Sequence, residues 1–427
     1  MAIIKPQGTN DFLPGGEDIS SEKLQKVEEL LREICREYGY GEIRTPIFEY
    51  TELFRRGVGE TTDIVQKEMY TFADRGGRSI TLRPENTAST CRAFGEHKLY
   101  GRPQQPQKLY YIGPMFRCER PQAGRFRQFH QFGIEVIGTN SPFADAEAIC
   151  LAWDIYSRLG LKDLELHLNS VGCPKCRAEY RKALQEHLRP ALPQLCGTCQ
   201  DRFERNPMRI LDCKNPNCKN LAAGAPTIDQ YLCQECAGHF ASVQAILTAS
   251  GIPYHLDSRL VRGLDYYTKT AFEILSGGIG AQSAVCGGGR YDGLMEEVCG
   301  QSIPAVGFAA GIERIFGALK AQGLDIEVET GLDVYVIATG DDAAAQQRAF
   351  ALGQELRKAG LRVDFDLLSR GMKAQFKAAN REGARFAVIL GGDEFARGVA
   401  QVKDMQAGEQ VEVALAEVTA HIQSKMA

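Results

Sequence analysis

Y-Y-I-G-P-M-F-R-C-E-R-P-Q-A-G-R-F-R-Q-F-H-Q-F-G-I-E, residues 110–135, is the stretch whose reading decides the fold. Bulky and polar residues alternate on both flanks, and the centre, Pro121-Gln122-Ala123-Gly124, suits only a turn, so the run reads as a β-hairpin with a long loop. Arg117, Arg120, Arg125 and Arg127 crowd into it against one nearby acid, Glu119. Guanidinium forks match phosphate oxygens, and a strand pair holds them more rigidly than a loop would. The alternative is an edge hairpin with solvated arginines. The flanking sequence weighs between the two.

Upstream, strand-like runs at 68–72 and 79–83, joined by Asp74-Arg75-Gly76-Gly77, lead into T-L-R-P-E-N-T-A-S-T at 81–90. Glu85 and Thr87 stand there at the start of a helix, either projecting toward a ligand or serving the helix as a first-turn acid and its neighbour. Further back, Ser20 or Ser21 caps a helix whose apolar positions, Leu24, Val27, Leu31, Ile34 and Tyr38, recur at helical spacing. The β-rich run at 41–50 then carries Pro46, which belongs at a sheet edge or bulge and suits a subunit interface or an ordinary helix–sheet layer.

Downstream, residues 144–160 read as a buried helix and 164–169 as a strand. From Val171 the composition changes. Cys173 and Cys176, Cys196 and Cys199, Cys213 and Cys218, and Cys233 and Cys236 form four close pairs, enough for two tetrahedral zinc sites of four thiolates each. A helical insertion with free thiols is the other reading. Strand-like texture resumes at 257–274 with Arg262, Tyr266 and Tyr267, and A-V-C-G-G-G-R-Y-D-G-L at 284–294 reads as a glycine-rich turn that brings Tyr291 beside a ligand. Residues 306–315 run from a small-residue strand into a helix bearing Arg314. From Thr330 the alternation is βαβαβ, a separate domain of roughly a hundred residues. Lys373, Lys377 and Arg381 share one helical face there, suited to an RNA backbone or simply to solvent.

A length of 427 residues implies two to four domains, and a net charge of −4 leaves nucleic-acid binding to local patches. The N-terminal residues lack a signal-peptide pattern and no run is long enough to span a bilayer, so the expected location is the cytoplasm. In that setting the fourteen cysteines are expected as thiols or metal ligands.

Taken together these segments resemble a known family. F-R-C-E-R-P-Q-A-G-R-F-R-Q-F is similar to motif 2 of class II aminoacyl-tRNA synthetases, G-F-A-A-G-I-E-R to motif 3, and the Pro46 stretch, loosely, to the dimer-forming motif 1. R-G-L-D-Y-Y at 262–267 and G-G-G-R-Y-D at 287–292 resemble the two segments that mark histidyl-tRNA synthetases of bacterial type, as do Q-G-T-N-D-F-L-P and T-L-R-P-E-N-T. The resemblance covers nearly the whole chain. It implies an antiparallel-sheet class II catalytic core (1–170 and 251–325), a helical, cysteine-rich insertion (171–250) and a C-terminal α/β anticodon-binding domain (331–427), in a homodimer.

The resemblance also implies roles. Arg117 would contact the α-phosphate of ATP, Phe129 stack under adenine, Glu119 read its edge, and Arg125 and Arg314 hold the triphosphate tail. Glu85, Thr87, Gln131 and Glu135 would hold the ammonium group of L-histidine, Arg262 would bridge its carboxylate to the α-phosphate, and Tyr266, Tyr267 and Tyr291 would line the imidazole pocket. Arg120 and Gln122 would read an extra 5′ guanosine of the tRNA. Asn86 and Cys118 depart from the family pattern, where glycine and histidine are common. The chemistry agrees: a carboxylate ionised at neutral pH needs no general base to attack phosphorus, so catalysis reduces to alignment and charge stabilisation by Arg117 and Arg262, with Mg²⁺ bridging the phosphates. An inactive regulatory paralogue from histidine biosynthesis, and a zinc-ribbon RNA-binding protein, are the rival readings. The paralogue typically lacks the C-terminal domain and has degraded motifs, whereas both are present here.

Overall fold

The computed structural model describes residues 3–59, 62–120, 124–278 and 284–426. The chain divides into two compact units, Met1–Ile326 and Glu327–Ala427.

The first unit is built on an eight-stranded sheet. In spatial order its strands are Gly41–Glu42, Gln107–Phe116, Gln128–Ile137, Ala305–Gly311, Ala284–Arg290, Thr268–Ser276, Leu164–Ser170 and His255–Leu256. Pairing is antiparallel except at the two short edge strands, which run parallel to their neighbours. Period-two alternation sorts the side chains. On Gln128–Ile137, Phe132, Ile134 and Val136 join Leu166, Leu168, Phe272, Ile274 and Phe308 in the main core, which leaves Phe129, Gln131, Gly133 and Glu135 on the opposite face. Among the described residues four helices cover the core side: Ser21–Glu37, Pro142–Arg158, Ile312–Ala321 and, through Val243 and Leu247, Gln234–Ala249. The first starts at Ser20, whose hydroxyl accepts from the Lys23 amide at 3.3 Å, and buries Val27, Leu31 and Ile34.

A three-stranded sheet, Phe48–Tyr50, Ser79–Leu82 and Tyr70–Ala73, is stitched by hydroxyls, with Thr81 contacting Thr51 and Thr71 at 2.9 Å each. The strand expected from residue 68 begins at Tyr70, because residues Ile64–Glu68 wind into a π-helical turn. Residues 257–267, expected as strand, are irregular, and the long strand starts at Thr268. Residues 171–250 form helices Pro174–Leu188, Gly197–Arg205, Pro216–Leu221 and Gln234–Ala249; the first three pack, with the turns between them, around a core of Tyr180, Leu184, Leu188, Phe203 and Ile210.

The second unit is a five-stranded sheet in the order Val363–Phe365, Val334–Ala338, Phe386–Leu390, Val399–Asp404 and Gln410–Ala414, parallel in its first three strands and antiparallel in the last two. Lys373, Lys377 and Arg381 are all exposed on helix Met372–Arg381. Among the described residues no helix is long and apolar enough to cross a membrane.

Candidate active site

The site lies on the second face of the large sheet, and glycines make room for it. A Cβ at Gly133 would strike the Tyr111 hydroxyl, one at Gly307 the Glu135 carboxylate, and one at Gly287 the Arg262 guanidinium. Bulky polar side chains therefore lie flat across the strands. This corrects the expected glycine-rich turn: Gly287, Gly288 and Gly289 sit inside strand Ala284–Arg290, because close approach on both faces, rather than chain reversal, excludes side chains there.

One end of this face is acidic and aromatic. Glu85 receives the Thr87 and Ala88 amides at 2.8 and 3.0 Å, so it caps helix Thr87–Glu96 while remaining 3 % exposed, and burial pushes its carboxyl up. Glu135 is 1 % exposed, and burial pushes it up to about 8. It accepts from the Tyr291 hydroxyl and, at 3.4 Å, from the Tyr111 hydroxyl. Tyr266 sits between Tyr267 and Tyr291, with ring centroids 4.7 and 5.5 Å away. Its hydroxyl is pushed well up by burial and by Tyr267, Glu85 and Glu135. Gln131 is buried, and its Oε1 has no partner among the described residues. A buried acceptor, two buried acids and phenols packed at tilted and edge-on angles make a pocket suited to a small cation with a polar ring.

The other end gathers guanidiniums. Arg117 donates to the Pro84 carbonyl at 2.9 Å and lies 5.2 Å from the centre of the Phe129 ring, and Arg125 binds Glu119 at 2.6 Å. Arg314 contacts the Ala284 carbonyl; burial and then the charges of Arg125 and Arg117 push its guanidinium down, so these three cations share one neighbourhood. Three residues along the same strand, Arg262 lies over Gly287, contacting Glu273 and facing the Tyr267 ring at 5.8 Å. The four hairpin arginines do not converge as a set. Arg127 reaches back to the Glu119 and Gln7 carbonyls at 3.2 and 3.4 Å, and Arg120 is exposed. Gln122 lies outside the described residues. Nor is Glu119 the lone acid: Glu68 stands nearby, pushed up by burial and by Glu119.

Several supporting residues were given no role by the motifs, although Arg83, Arg290 and Glu313 lie inside them. Arg83, buried, donates to the carbonyls of Pro114 and Thr45 at 2.9 and 3.0 Å and to Asn86, so Asn86 serves a joint between three segments. Arg290 and Asp145 are a fully buried ion pair, with His239 Nε2 3.2 Å from Asp145. Glu313 receives the His130 amide at 2.9 Å and meets its Nδ1 at 3.0 Å, joining helix Ile312–Ala321 to the hairpin and pushing the imidazole up.

The eight insertion cysteines gather into two groups, Cys173 with Cys176, Cys233 and Cys236, and Cys196 with Cys199, Cys213 and Cys218; within each, the sulfurs all lie within 4.8 Å of one another. Sulfur separations of 3.6 Å (Cys173 to Cys176) and 3.9 Å (Cys196 to Cys213) are far beyond a disulfide and suit thiolates around one ion. Backbone amides also point at sulfur, Cys233 to Cys176 at 3.1 Å and Cys196 to Cys218 at 3.2 Å. Both groups fit a tetrahedral four-thiolate site.

Comparison with known proteins places the chain in a family. The histidyl-tRNA synthetase family model matches residues 8–315, and an anticodon-binding-domain model matches residues 333–425. The chain is 60 % identical over 415 residues to a histidine–tRNA ligase of Desulfitobacterium hafniense, covering 97 % of this chain and 96 % of that one. It is 58 % identical over 425 residues to one from Desulforamulus reducens, covering 100 % of each. Apo histidyl-tRNA synthetase of S. aureus superposes with a TM-score of 0.84 at 41 % identity, over 99 % of this chain and 100 % of that one. The large sheet is thus a class II synthetase core followed by an anticodon-binding domain, and the chain belongs to the histidyl-tRNA synthetase family.

Proposed function

We propose that this protein ligates L-histidine to its tRNA through a histidyl-adenylate, releasing diphosphate and then AMP. The observation that carries the reading is the shared neighbourhood of Arg117, Arg125 and Arg314 beside a buried pocket of acids and tyrosines. The histidine carboxylate attacks the α-phosphorus of ATP and diphosphate leaves; the terminal adenosine of the tRNA then attacks the acyl carbon and AMP leaves. Arg117 and Arg262 stabilise the charge that develops at the α-phosphate. Phe129 stacks on adenine, Glu119 reads its edge, and Arg125 and Arg314 hold the outer phosphates. Glu85, Thr87, Gln131 and Glu135 take the ammonium group, and Tyr266, Tyr267 and Tyr291 surround the imidazole.

Mg²⁺ would accompany the phosphates and supply charge neutralisation there, and Glu68 is a hard oxygen donor of the kind it takes. The two cysteine groups hold one structural Zn²⁺ each. Residues 1–170 and 251–325 make the catalytic core, 171–250 the insertion and 331–427 the tRNA anticodon contact, while Arg120 and Gln122 meet the acceptor end. The working form is a cytoplasmic homodimer. Exposed Ile47, Phe48, Tyr50 and Phe72, concentrated on the small sheet and beside its Pro46, support a subunit interface.

Histidine-dependent exchange of radioactive diphosphate into ATP tests the first step, and charging of tRNA with and without the extra 5′ guanosine tests the second. A chain that binds histidine and ATP without exchange refutes the ligase reading.

A further inference from the structure

The segment 257–267 supplies Arg262, Tyr266 and Tyr267 yet contains no strand or helix. Its backbone groups must therefore be satisfied from elsewhere: residues of the sheet and its surroundings reach Asp257, Leu260 and Asp265, and the cysteine-rich insertion supplies two further donors. Arg177, adjacent to Cys176, donates to the Tyr267 carbonyl, and Arg209, four residues before Cys213, donates to the Gly263 carbonyl at 2.8 Å. Asn206 donates to the Asp265 carboxylate at 2.9 Å. Glu235, between Cys233 and Cys236, accepts from Lys269 at 2.9 Å. Lys269 holds a left-handed backbone with φ of 50°, a costly conformation for lysine that persists only where neighbours enforce it. Val171 and Gly172, just ahead of Cys173, do so by exchanging backbone hydrogen bonds with it at 2.7 and 3.1 Å. A cavity of about 340 Å³ between insertion and segment is lined by Arg177, Arg205, Arg209, Arg262, Asp265 and Tyr267.

We infer that the insertion, folded around its two thiolate-bound ions, is a positioning device for the histidine pocket: Arg177 and Arg209 hold the Arg262–Tyr267 segment in register, and the metal sites hold those two arginines. The inference rests on the zinc reading above, and its test separates the two.

Arg177→Met and Arg209→Met leave every cysteine in place. Each is expected to retain about two equivalents of zinc by atomic absorption, to raise KM for histidine at least about tenfold in the exchange assay, and to keep KM for ATP within about twofold, with Arg177→Lys restoring part of the loss. Removing zinc from the whole enzyme with a chelator is expected to give the same split, and re-addition of zinc to reverse it. Equal rises in the two KM values, or none, in both methionine variants overturn the inference. A chelated, zinc-free enzyme that keeps its histidine KM overturns the dependence on the ions, even if both variants behave as expected. Less than one equivalent of zinc in enzyme purified without added metal sinks the metal reading and with it the dependence on the ions, while the methionine variants still decide whether the arginines hold the segment.

Discussion

Histidine binding should expel a proton from the protein. Glu135 titrates at about 8 in the empty pocket because burial penalises its charge, so at pH 7 roughly nine in ten copies carry a proton. An ammonium group docking beside it reverses the preference and leaves a carboxylate, releasing about 0.9 proton per site. The ligand's own imidazole, with a free pKa near 6.5, can release at most about 0.25 proton at pH 7 or take up at most about 0.75, so the Glu135 part is read as the difference between the wild-type enzyme and Glu135→Gln. Calorimetric titration with histidine in two buffers of different ionisation enthalpy reads the number directly. A difference in proton release between the wild-type enzyme and Glu135→Gln of under about 0.3 at pH 7 refutes the reasoning. The sign for stability also follows. A carboxyl raised above its unfolded value contributes fully below about pH 4.5, and that contribution is lost as pH rises through about 8. The Tm of the free enzyme should fall across that window, and saturating histidine should flatten the fall.

Three further perturbations follow from the same geometry. Arg117→Ala should lower the exchange rate about 10²- to 10³-fold, the size of a lost charge-stabilising donor, and a change under about fivefold removes Arg117 from the chemistry. Tyr291→Phe deletes the hydroxyl that reaches Glu135 and should weaken histidine binding about ten- to a hundredfold by calorimetry, with KM for ATP little changed. Arg290→Met leaves Asp145 charged, buried and short of its main partner; urea unfolding should show a loss of about 3–5 kcal/mol, and a loss under about 1 kcal/mol contradicts that account.

Local signals made much of the fold legible. Alternation on the flanks of residues 110–135 was enough for the hairpin, whose strands run over Gln107–Phe116 and Gln128–Ile137, and a cap at Ser20 or Ser21 with spaced apolar residues for the first long helix, which Ser20 caps. Where propensity and tertiary packing disagreed, packing won. Three consecutive glycines suit a turn, yet Gly287, Gly288 and Gly289 run through the middle of a sheet because Arg262, Phe308 and Tyr267 press on them. Arg290 and Asp145 stand 145 residues apart, a separation at which no spacing rule operates. Cysteine spacing gave the pairs but not their partners, since four pairs combine into two sites in three ways. Only folding joins the first pair to the last, around the middle two. Among the hairpin arginines, strand register and the N-terminal segment divide the set, turning Arg127 toward Gln7 and leaving Arg117 and Arg125 with Arg314.

The bare backbone beneath the pocket has a consequence for how such an enzyme can vary. At Gly133, Gly287 and Gly307 a single methyl group would occupy space taken by Tyr111, Arg262 and Glu135. Alanine, elsewhere the mildest of replacements, would act there as a permanently installed plug, one that no amount of substrate could compete away.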